Sequence, residues 1–551
     1  MTLERRLGFG CGALAGAIPI LAAATRSGSG IDAACDAGVV RVIGRGYTGA
    51  FHGLDVVGAL LGVHAAWASV ACASALGVVT YTLARRLLRA IVPGSLGLAL
   101  AVVASALATL TFPAQRETML VAGSVLGALL AIAPLALVSE RAPAAVVAAA
   151  LGLAASYDVP VACAAAAGCS AALVVRRAAP KWSAAPWAIV GVLPIAWMLW
   201  RRVAAADASL EVSTFSGAMG EGAAAGRWAA LSIARGELGI VALGAAGLGV
   251  VVALRSRAAH VAAGLFAIVL AGVAATAAGA PAGPVRFGGA LVAALAATSA
   301  LTACGMGAVA SAVAEAKVPF ARASAAMIVL LEIAVPVRVA DDASLATAKL
   351  GNETTSSWNA RVFGDLPHGA VVLLPNAPLF LRARAAAASG ALRPDVIVVA
   401  TTGMSARATS HAIAREPLVA PLVRDLALYG APEEFSLSEL AGARPVLVAF
   451  DPKWDKRFAR HLLPEGAFDR YFVEPRGSSE RVKTLAATAI DEPTLHALAE
   501  NPPLRDATRD VLRARALAAD ATGEREYAAA ATAELRRIDP NARVHLAEQN
   551  N

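Results

Sequence analysis

Eleven apolar stretches, separated by polar or basic connections, fill the first 340 residues of this 551-residue chain. A membrane-spanning helix needs about 20 mostly apolar residues, and a shorter one can cross where neighbouring helices bury it. The composition agrees, because 58% hydrophobic and 16% charged residues leave too little polar surface for an ordinary soluble protein of this length. We therefore predict eleven spans, over Leu7–Ala24, Leu54–Ala84, Ala90–Phe112, Met119–Val138, Pro143–Ser156, Val159–Val175, Pro186–Trp200, Leu238–Leu254, Val261–Ala278, Gly288–Ala314 and Ala323–Val337.

Basic residues in this region lie at the ends of the apolar stretches. Arg5 and Arg6 precede the first stretch, and every second connection then carries a basic cluster: Arg85, Arg86 and Arg89; Arg141; Arg176, Arg177 and Lys181; Arg255 and Arg257; Lys317 and Arg322. Cytoplasmic connections carry the Lys/Arg excess, so the N-terminus is predicted inside. The connection 27–53 and everything after Ala340 then lie outside, which is the periplasm if the membrane is a bacterial inner membrane.

Two alternatives concern the same basic and apolar residues. The first stretch could be a cleaved signal peptide, which would leave the remaining topology unchanged. The net charge of +8 could indicate nucleic-acid binding, but the basic residues mark helix ends and form no stripe interleaved with aromatic residues. We therefore expect a membrane lipid partner and no nucleic-acid partner.

The long apolar stretches stop near Ala340, and strand-like segments alternate with helix-like ones after it. Strands are predicted at Ala370–Leu374, Val396–Ala400, Pro445–Ala449 and Tyr471–Val473. Such alternation favours a small α/β unit with a parallel sheet. Near the C-terminus the pattern predicts a helix, a turn at Asp520–Gly523 and a second helix. The prediction is thus a mostly α chain, with a transmembrane helix bundle over 1–340, a soluble periplasmic α/β domain over 341–490 and a helical hairpin over 491–551.

Acids and cations concentrate in the two large connections predicted to lie outside. The first connection contains Asp32, Asp36, Arg41, Arg45 and His52, and the other contains Arg201, Arg202 and Arg227. Carboxylates exchange protons, and the planar fork of arginine donates two hydrogen bonds to one phosphate. Structural roles are the alternative, because aspartates beside glycine form turns and arginines at a membrane interface extend towards water.

The segment Leu366–Met404 carries a family resemblance through two strand entrances. They read Pro367-His368-Gly369-Ala370 and Arg393-Pro394-Asp395-Val396. With the many-span first half, this segment resembles bacterial membrane proteins of the protein O-mannosyltransferase-like kind, which belong to the GT-C class of glycosyltransferases that use lipid-linked sugars. That family has Asp-Ser-Gly-Glu and His-Pro-Pro-Gly in its first outside connection. Here the first motif is kept at Asp36 and Gly38, with Val39 in place of glutamate, and the second is reduced to His52-Gly53.

The resemblance implies transfer of a sugar from a polyprenyl-phosphate donor to a periplasmic acceptor that the sequence does not identify. A carboxylate would take the proton of the acceptor hydroxyl while cations steady the lipid phosphate. Asp36 is the candidate base, Asp32 its reserve, and the arginines and His52 the candidate phosphate ligands. No cofactor can be named from these residues, and a divalent metal ion stays an open alternative.

Two other functions remain open. The chain could be a non-catalytic scaffold for envelope assembly, because its first-connection motifs depart from the family pattern. It could also be a transporter, because ionisable groups such as Glu332 and His64 fall within apolar stretches, where they are costly unless they function.

Overall fold

The computed structural model describes residues 3–25, 57, 60–62, 65–92, 94–119, 124–157, 159–178, 182–193, 229–277, 288–316, 320–349, 357–375, 377–388, 390–401, 416–500 and 502–542. These residues are mostly helical and divide into two compact units. We call the described residues up to Ala348 the helical unit and those from Lys349 onward the C-terminal unit.

The helices of the helical unit follow the apolar stretches of the sequence, except for a short polar helix over Phe112–Met119. In chain order they are α1 (Leu3–Thr25), α2 (Ala65–Arg89), α3 (Ser95–Leu110), α4 (Phe112–Met119), α5 (Ser124–Ser139), α6 (Ala144–Tyr157), α7 (Val159–Val175), α8 (Ala229–Leu254), α9 (Ala259–Ala277), α10 (Gly289–Glu315) and α11 (Ala321–Lys349). The last helix, α11, continues past Ala340, where the sequence placed the end of the membrane region.

Four of the described helices are long and apolar enough to cross a membrane. The qualifying segments are Arg6–Ala24, Trp67–Arg89, Ala234–Leu254 and Gly289–Glu315. Five shorter apolar helices accompany them: Ser95–Leu110, Ser124–Ser139, Ala144–Tyr157, Val159–Val175 and Ala259–Ala275. The described residues therefore form a bundle compatible with a membrane and do not confirm eleven spans. Helices of 14 to 17 residues, such as α6 and α7, fall short of the hydrocarbon thickness by themselves.

Small residues bring α8 and α10 into backbone contact. A Cβ atom added to Gly249 of α8 would lie 2.0 Å from the carbonyl oxygen of Leu301, and one added to Gly305 of α10 would lie 1.9 Å from that of Ala245. In the same interface the Thr302 hydroxyl donates a 3.0 Å hydrogen bond to the carbonyl of Ala242. Close approach through small residues is the usual way in which apolar helices associate inside a membrane.

Four basic connections of the helical unit meet at one end of the bundle. Arg86 belongs to the last turn of α2, and Arg141, Arg176 and Arg257 follow the ends of α5, α7 and α8; the four side chains line a common cavity. The positive-inside pattern assigned these four clusters to one side of the membrane. Their shared position at one end is the arrangement that this assignment requires.

The C-terminal unit contains a five-stranded sheet with the order β2-β1-β3-β5-β4. The strands are β1 (Val371–Leu374), β2 (Ile397–Ala400), β3 (Val446–Val448), β4 (Leu462–Glu465) and β5 (Phe468–Tyr471). The first three strands pair in parallel, as predicted, but β3 pairs with β5 and β5 with β4 in antiparallel fashion. The predicted parallel sheet is thus present in β2-β1-β3 and is extended by an antiparallel edge, because β4 and β5 form a tight hairpin around Gly466, whose φ is 59°.

Helices cover both faces of this sheet. They are α12 (Ala377–Ala388), α13 (Ala420–Tyr429), α14 (Glu434–Ala443), α15 (Ser478–Ala487), α16 (Glu492–Glu500), α17 (Pro502–Ala521) and α18 (Arg525–Ile538). Alternate residues of β1 point to opposite faces: Val372 packs in a core with residues of α12 and α17, while Val371 packs in a core with residues of α13 and α14. Burial on both faces explains why the strand reads as an unbroken apolar run.

Candidate functional site

The candidate site residues from the sequence lie outside the described part of the chain. These residues are Asp32, Asp36, Arg41, Arg45, His52, Arg201, Arg202 and Arg227. Of the two transporter candidates, His64 also lies outside it, and Glu332 belongs to α11 with its side chain not described. Their roles therefore stay predictions, and the geometry that follows concerns other residues.

The two strand entrances that carry the family resemblance lie side by side. Because β1 and β2 are neighbouring parallel strands, Ala370 and Ile397 meet, and the Ile397 amide donates a 2.9 Å hydrogen bond to the Ala370 carbonyl. The Gly369 amide donates a 2.8 Å hydrogen bond to Oδ2 of Asp395. Gly369 has a φ of 65°, a left-handed conformation that glycine adopts without steric cost. The glycine and the aspartate therefore fix one strand entrance to the other.

Arg393 completes this arrangement. Its Nε donates a 3.0 Å hydrogen bond to Oδ1 of Asp395, and its Nη2 contacts Oδ2 at 2.5 Å and also the His368 ring. The hydrogen bond from Arg393, followed by that from the Gly369 amide, holds the pKa of the Asp395 carboxyl well below its usual range. A general base works best with a pKa near the working pH, so this carboxylate is poorly suited to accept a proton. The role of Asp395 is to hold the backbone of the neighbouring strand entrance at Gly369.

A cavity of about 260 Å³ lies within the C-terminal unit, between α17 and the hairpin. Its wall includes Trp358, Arg361, Leu498, Thr508, Val511 and Arg515. The polar groups among them have internal partners, including Arg361, which pairs with Asp491 at 3.1 Å. The Trp358 indole nitrogen donates to the Thr508 hydroxyl at 2.8 Å, and Arg515 binds Asp469 at 3.1 Å. The lining residues that the structure describes include neither histidine nor cysteine.

The salt bridge beside this cavity is structural. Arg515 and Asp469 are almost completely buried, and Nη2 of Arg515 also donates to the carbonyls of Gly466 and Phe468. The guanidinium thus ties α17 to both ends of the hairpin turn. A buried arginine is tolerated where its donors find acceptors, and both Nε and Nη2 of Arg515 do so.

No metal centre forms among the described residues, where no group of three or more His, Cys, Asp or Glu side chains could hold an ion. The open alternative of a divalent metal ion thus concerns the two large connections outside the described ranges. Sequence comparison adds no relative, because no family model and no curated protein matches the chain. The resemblance rests on the residues that carry it.

Proposed function

We propose that this chain is a polytopic protein of the bacterial inner membrane that transfers a sugar from a polyprenyl-phosphate donor to a periplasmic acceptor. The observation that carries the proposal is the first connection, where Asp36-Ala37-Gly38 is followed by His52-Gly53. Support comes from its setting, since the connection follows the first of several apolar helices and the chain ends in an α/β unit with the family's strand entrances.

The proposed topology has eleven spans, a cytoplasmic N-terminus and a periplasmic C-terminal unit. It is supported by the four basic connections that meet at one end of the helical unit. Burial by neighbours supports a crossing for two of the short helices, α3 and α5, which have eleven buried residues each and pack in the bundle with the largely buried α10. In this topology the connection 27–53 lies at the opposite side of the membrane from the basic clusters.

The proposed reaction needs one proton acceptor and several cations. The acceptor hydroxyl attacks the anomeric carbon, Asp36 takes the hydroxyl proton, and the bond between the sugar and the phosphate oxygen breaks. Polyprenyl phosphate leaves with the electron pair, and arginine side chains stabilise its charge. Asp32 is the second candidate for the base. The candidates for the phosphate are Arg41, Arg45, His52, Arg201, Arg202 and Arg227.

A non-catalytic scaffold is the second candidate function. It is favoured by Val39, which stands where the family motif has an acid, and by Asp395, whose hydrogen bonds are architectural. A protein that keeps the fold and loses the chemistry would retain the strand entrances and lose the acids of the first connection.

The substitution Asp36→Asn separates the two functions because it removes the charge that a base needs and keeps the side chain's size. Membranes containing the chain are supplied with a labelled polyprenyl-phosphate sugar, and label transfer and complementation of a deletion strain are measured. The enzyme predicts normal expression and a rate reduced by about 10²–10⁴. Asp207→Asn, in the other large connection, is the matched control and should keep full activity.

The remaining outcomes also decide. If Asp36→Asn is silent and Asp32→Asn inactivates, the base is Asp32 and the motif alignment is displaced by four residues. If both variants keep full transfer and complementation, the first connection is not catalytic and the glycosyltransferase proposal is abandoned for the scaffold.

A further inference from the structure

A cavity of about 380 Å³ lies at the end of the helical unit where the four basic connections meet. We call it the basic cavity. Its charged and polar lining consists mainly of Arg86, Arg89, Arg141, Arg176, Arg257 and His260. Arg86 and Arg89 lie in the last turn of α2, His260 lies in the first turn of α9, and the other three follow the ends of α5, α7 and α8, so the arrangement exists only in the folded bundle and is invisible as a motif in the sequence.

Positive charge in the basic cavity greatly exceeds negative charge. Among the residues that the structure describes, no carboxylate belongs to its lining. Glu140 pairs with Arg86 at 3.2 Å from just outside, and its side chain is half exposed. One carboxylate cannot neutralise the guanidinium groups of Arg86, Arg141, Arg176 and Arg257, each of which stays charged at neutral pH. An anion would therefore be attracted to this cavity by several cations at once.

The orientation and hydrogen bonding of the side chains point to the same occupant. Nη1 of Arg176 donates a 2.6 Å hydrogen bond to the Val138 carbonyl, which fixes this side chain against the end of α5. Within the described part of the chain, Nη1 of Arg86 and Nε2 of His260 are buried and have no hydrogen-bond partner. Buried polar atoms are normally paired, and Nη1 of Arg86 can only donate, so this cationic cavity calls for a ligand that accepts hydrogen bonds.

Repulsion among the arginines is visible at Arg176. Partial burial lowers the pKa of its guanidinium, and the neighbouring charges of Arg141 and Arg86 lower it further. Arginines that serve only to orient helices can extend separately into water. Here they are held close enough to repel one another, which is an unfavourable arrangement that a bound anion relieves.

We propose that the basic cavity binds a phosphate group, supplied either by the headgroup of an anionic phospholipid or by a soluble phosphate compound. Arginine matches phosphate through two parallel hydrogen bonds, and basic cavities between helix ends lie at the depth of lipid headgroups. This site is separate from the proposed reaction, because it uses none of the candidate catalytic residues and lies at the end that the topology assigns to the cytoplasm.

The chain offers a matched pair of variants to test this proposal. Arg176→Gln/Arg257→Gln removes two charges from the lining of the basic cavity. Arg177→Gln/Arg255→Gln removes two charges from the same two connections, but both of these side chains are exposed and neither lines the cavity. The two double variants therefore have the same net charge and equally weakened topology signals.

The full chain is purified in a neutral detergent and titrated in two arms, one with phosphatidylglycerol in mixed micelles and one with inorganic phosphate. Bound lipid is counted by native mass spectrometry, and both arms are followed by thermal unfolding, since a ligand that binds the folded state raises the melting temperature. We expect the cavity variant to bind about 30-fold more weakly than wild type, and the control variant to bind as wild type does.

Each result has a fixed meaning. Cavity-dependent binding of phosphatidylglycerol alone identifies a lipid headgroup, and the same dependence for inorganic phosphate identifies a soluble phosphate. Equal weakening in both double variants, or no binding in either arm, overturns the proposal. Because Arg176 also holds Val138, the single variants Arg257→Gln and Arg255→Gln are compared if the double variant does not fold, with about a fivefold loss expected for Arg257→Gln alone.

Discussion

Gly249→Ala tests the closest helix contact in the helical unit. The added methyl group of Gly249 would lie 2.0 Å from the Leu301 carbonyl oxygen and 2.9 Å from the Gly305 amide nitrogen. Both atoms belong to backbone, so neither can rotate away as a side chain would. Helices α8 and α10 must therefore separate locally by about 1.4 Å before an ordinary contact distance is restored.

The cost of this separation follows from what the interface contains. Forcing one extra methyl group into a packed interior costs about 1–3 kcal/mol, and alanine returns up to about 1 kcal/mol because it favours the helix more than glycine does. Separation also lengthens the 3.0 Å hydrogen bond from Thr302 to Ala242. We expect a net loss of about 1–2 kcal/mol, which corresponds to a melting temperature lower by about 2–8 °C.

Gly247→Ala on the same helix is the matched control, because among the described residues no atom outside the adjacent backbone of its own helix lies within 4 Å of the methyl group that it adds. It should leave the melting temperature unchanged or raise it slightly. Wild type and both variants are heated at one rate in the same detergent, since unfolding of such proteins is often irreversible. If Gly249→Ala melts at the temperature of Gly247→Ala, the backbone contact between α8 and α10 is not present in the protein.

Three further predictions concern burial, pH and topology. The C-terminal unit expressed alone should unfold cooperatively. In urea unfolding, Arg515→Met should lower its stability by about 3–5 kcal/mol, because Asp469 stays buried without its partner. An unchanged urea midpoint would contradict the buried salt bridge. Hydrogen bonds from Thr494 and Arg361 lower the pKa of Asp491 to about 2. The ionised carboxylate therefore stabilises the folded C-terminal unit fully above pH ~4, and this contribution is lost as the pH falls through 2. Asp491→Asn should accordingly lose less stability on acidification than wild type. A reporter fused after Arg89 should be active only in the cytoplasm and one at the C-terminus only outside it, and a cytoplasmic C-terminal reporter would refute an odd number of spans.

Apolar runs in the sequence predicted those strands and helices that can be recognised from one contiguous stretch of residues. The strand Val371–Leu374 is buried on both faces, so it reads as an apolar run, and the sequence placed it to within one residue. The helical runs were found for the same reason. The sequence alone does not show how many of these helices cross the membrane. A 14-residue helix such as Ala144–Tyr157 crosses only if its neighbours bury it, and that burial depends on tertiary packing.

The strand β4 escaped prediction for a physical reason. Its sequence, Leu462–Glu465, contains Pro464, which cannot donate a hydrogen bond and argues against a central strand. The strand exists because it lies at the edge of the sheet, where one side of its backbone needs no partner strand. Edge position is a property of the assembled sheet, so a local pattern could not reveal it.

The basic cavity shows the same limit for a site. Each of its arginines was visible in the sequence as a topology signal, and each connection contains too few basic residues to predict an anion site by itself. What was missing is that four connections converge, which follows from the packing of α2, α5, α7 and α8. The unpartnered atoms of Arg86 and His260 could not be inferred from residue type at all.

The geometry of Asp395 changes the weight of the family resemblance. Asp395 and Gly369 belong to the sharpest matching segment, and their hydrogen bond accounts for both residues as parts of a strand entrance. A match that architecture explains favours a shared fold and says nothing of shared chemistry. The enzymatic proposal therefore depends on Asp36 and its connection, whereas the phosphate proposal depends on Arg176 and Arg257. Since the two sets share no residue and the topology assigns them to opposite sides of the membrane, loss of either proposal leaves the other standing.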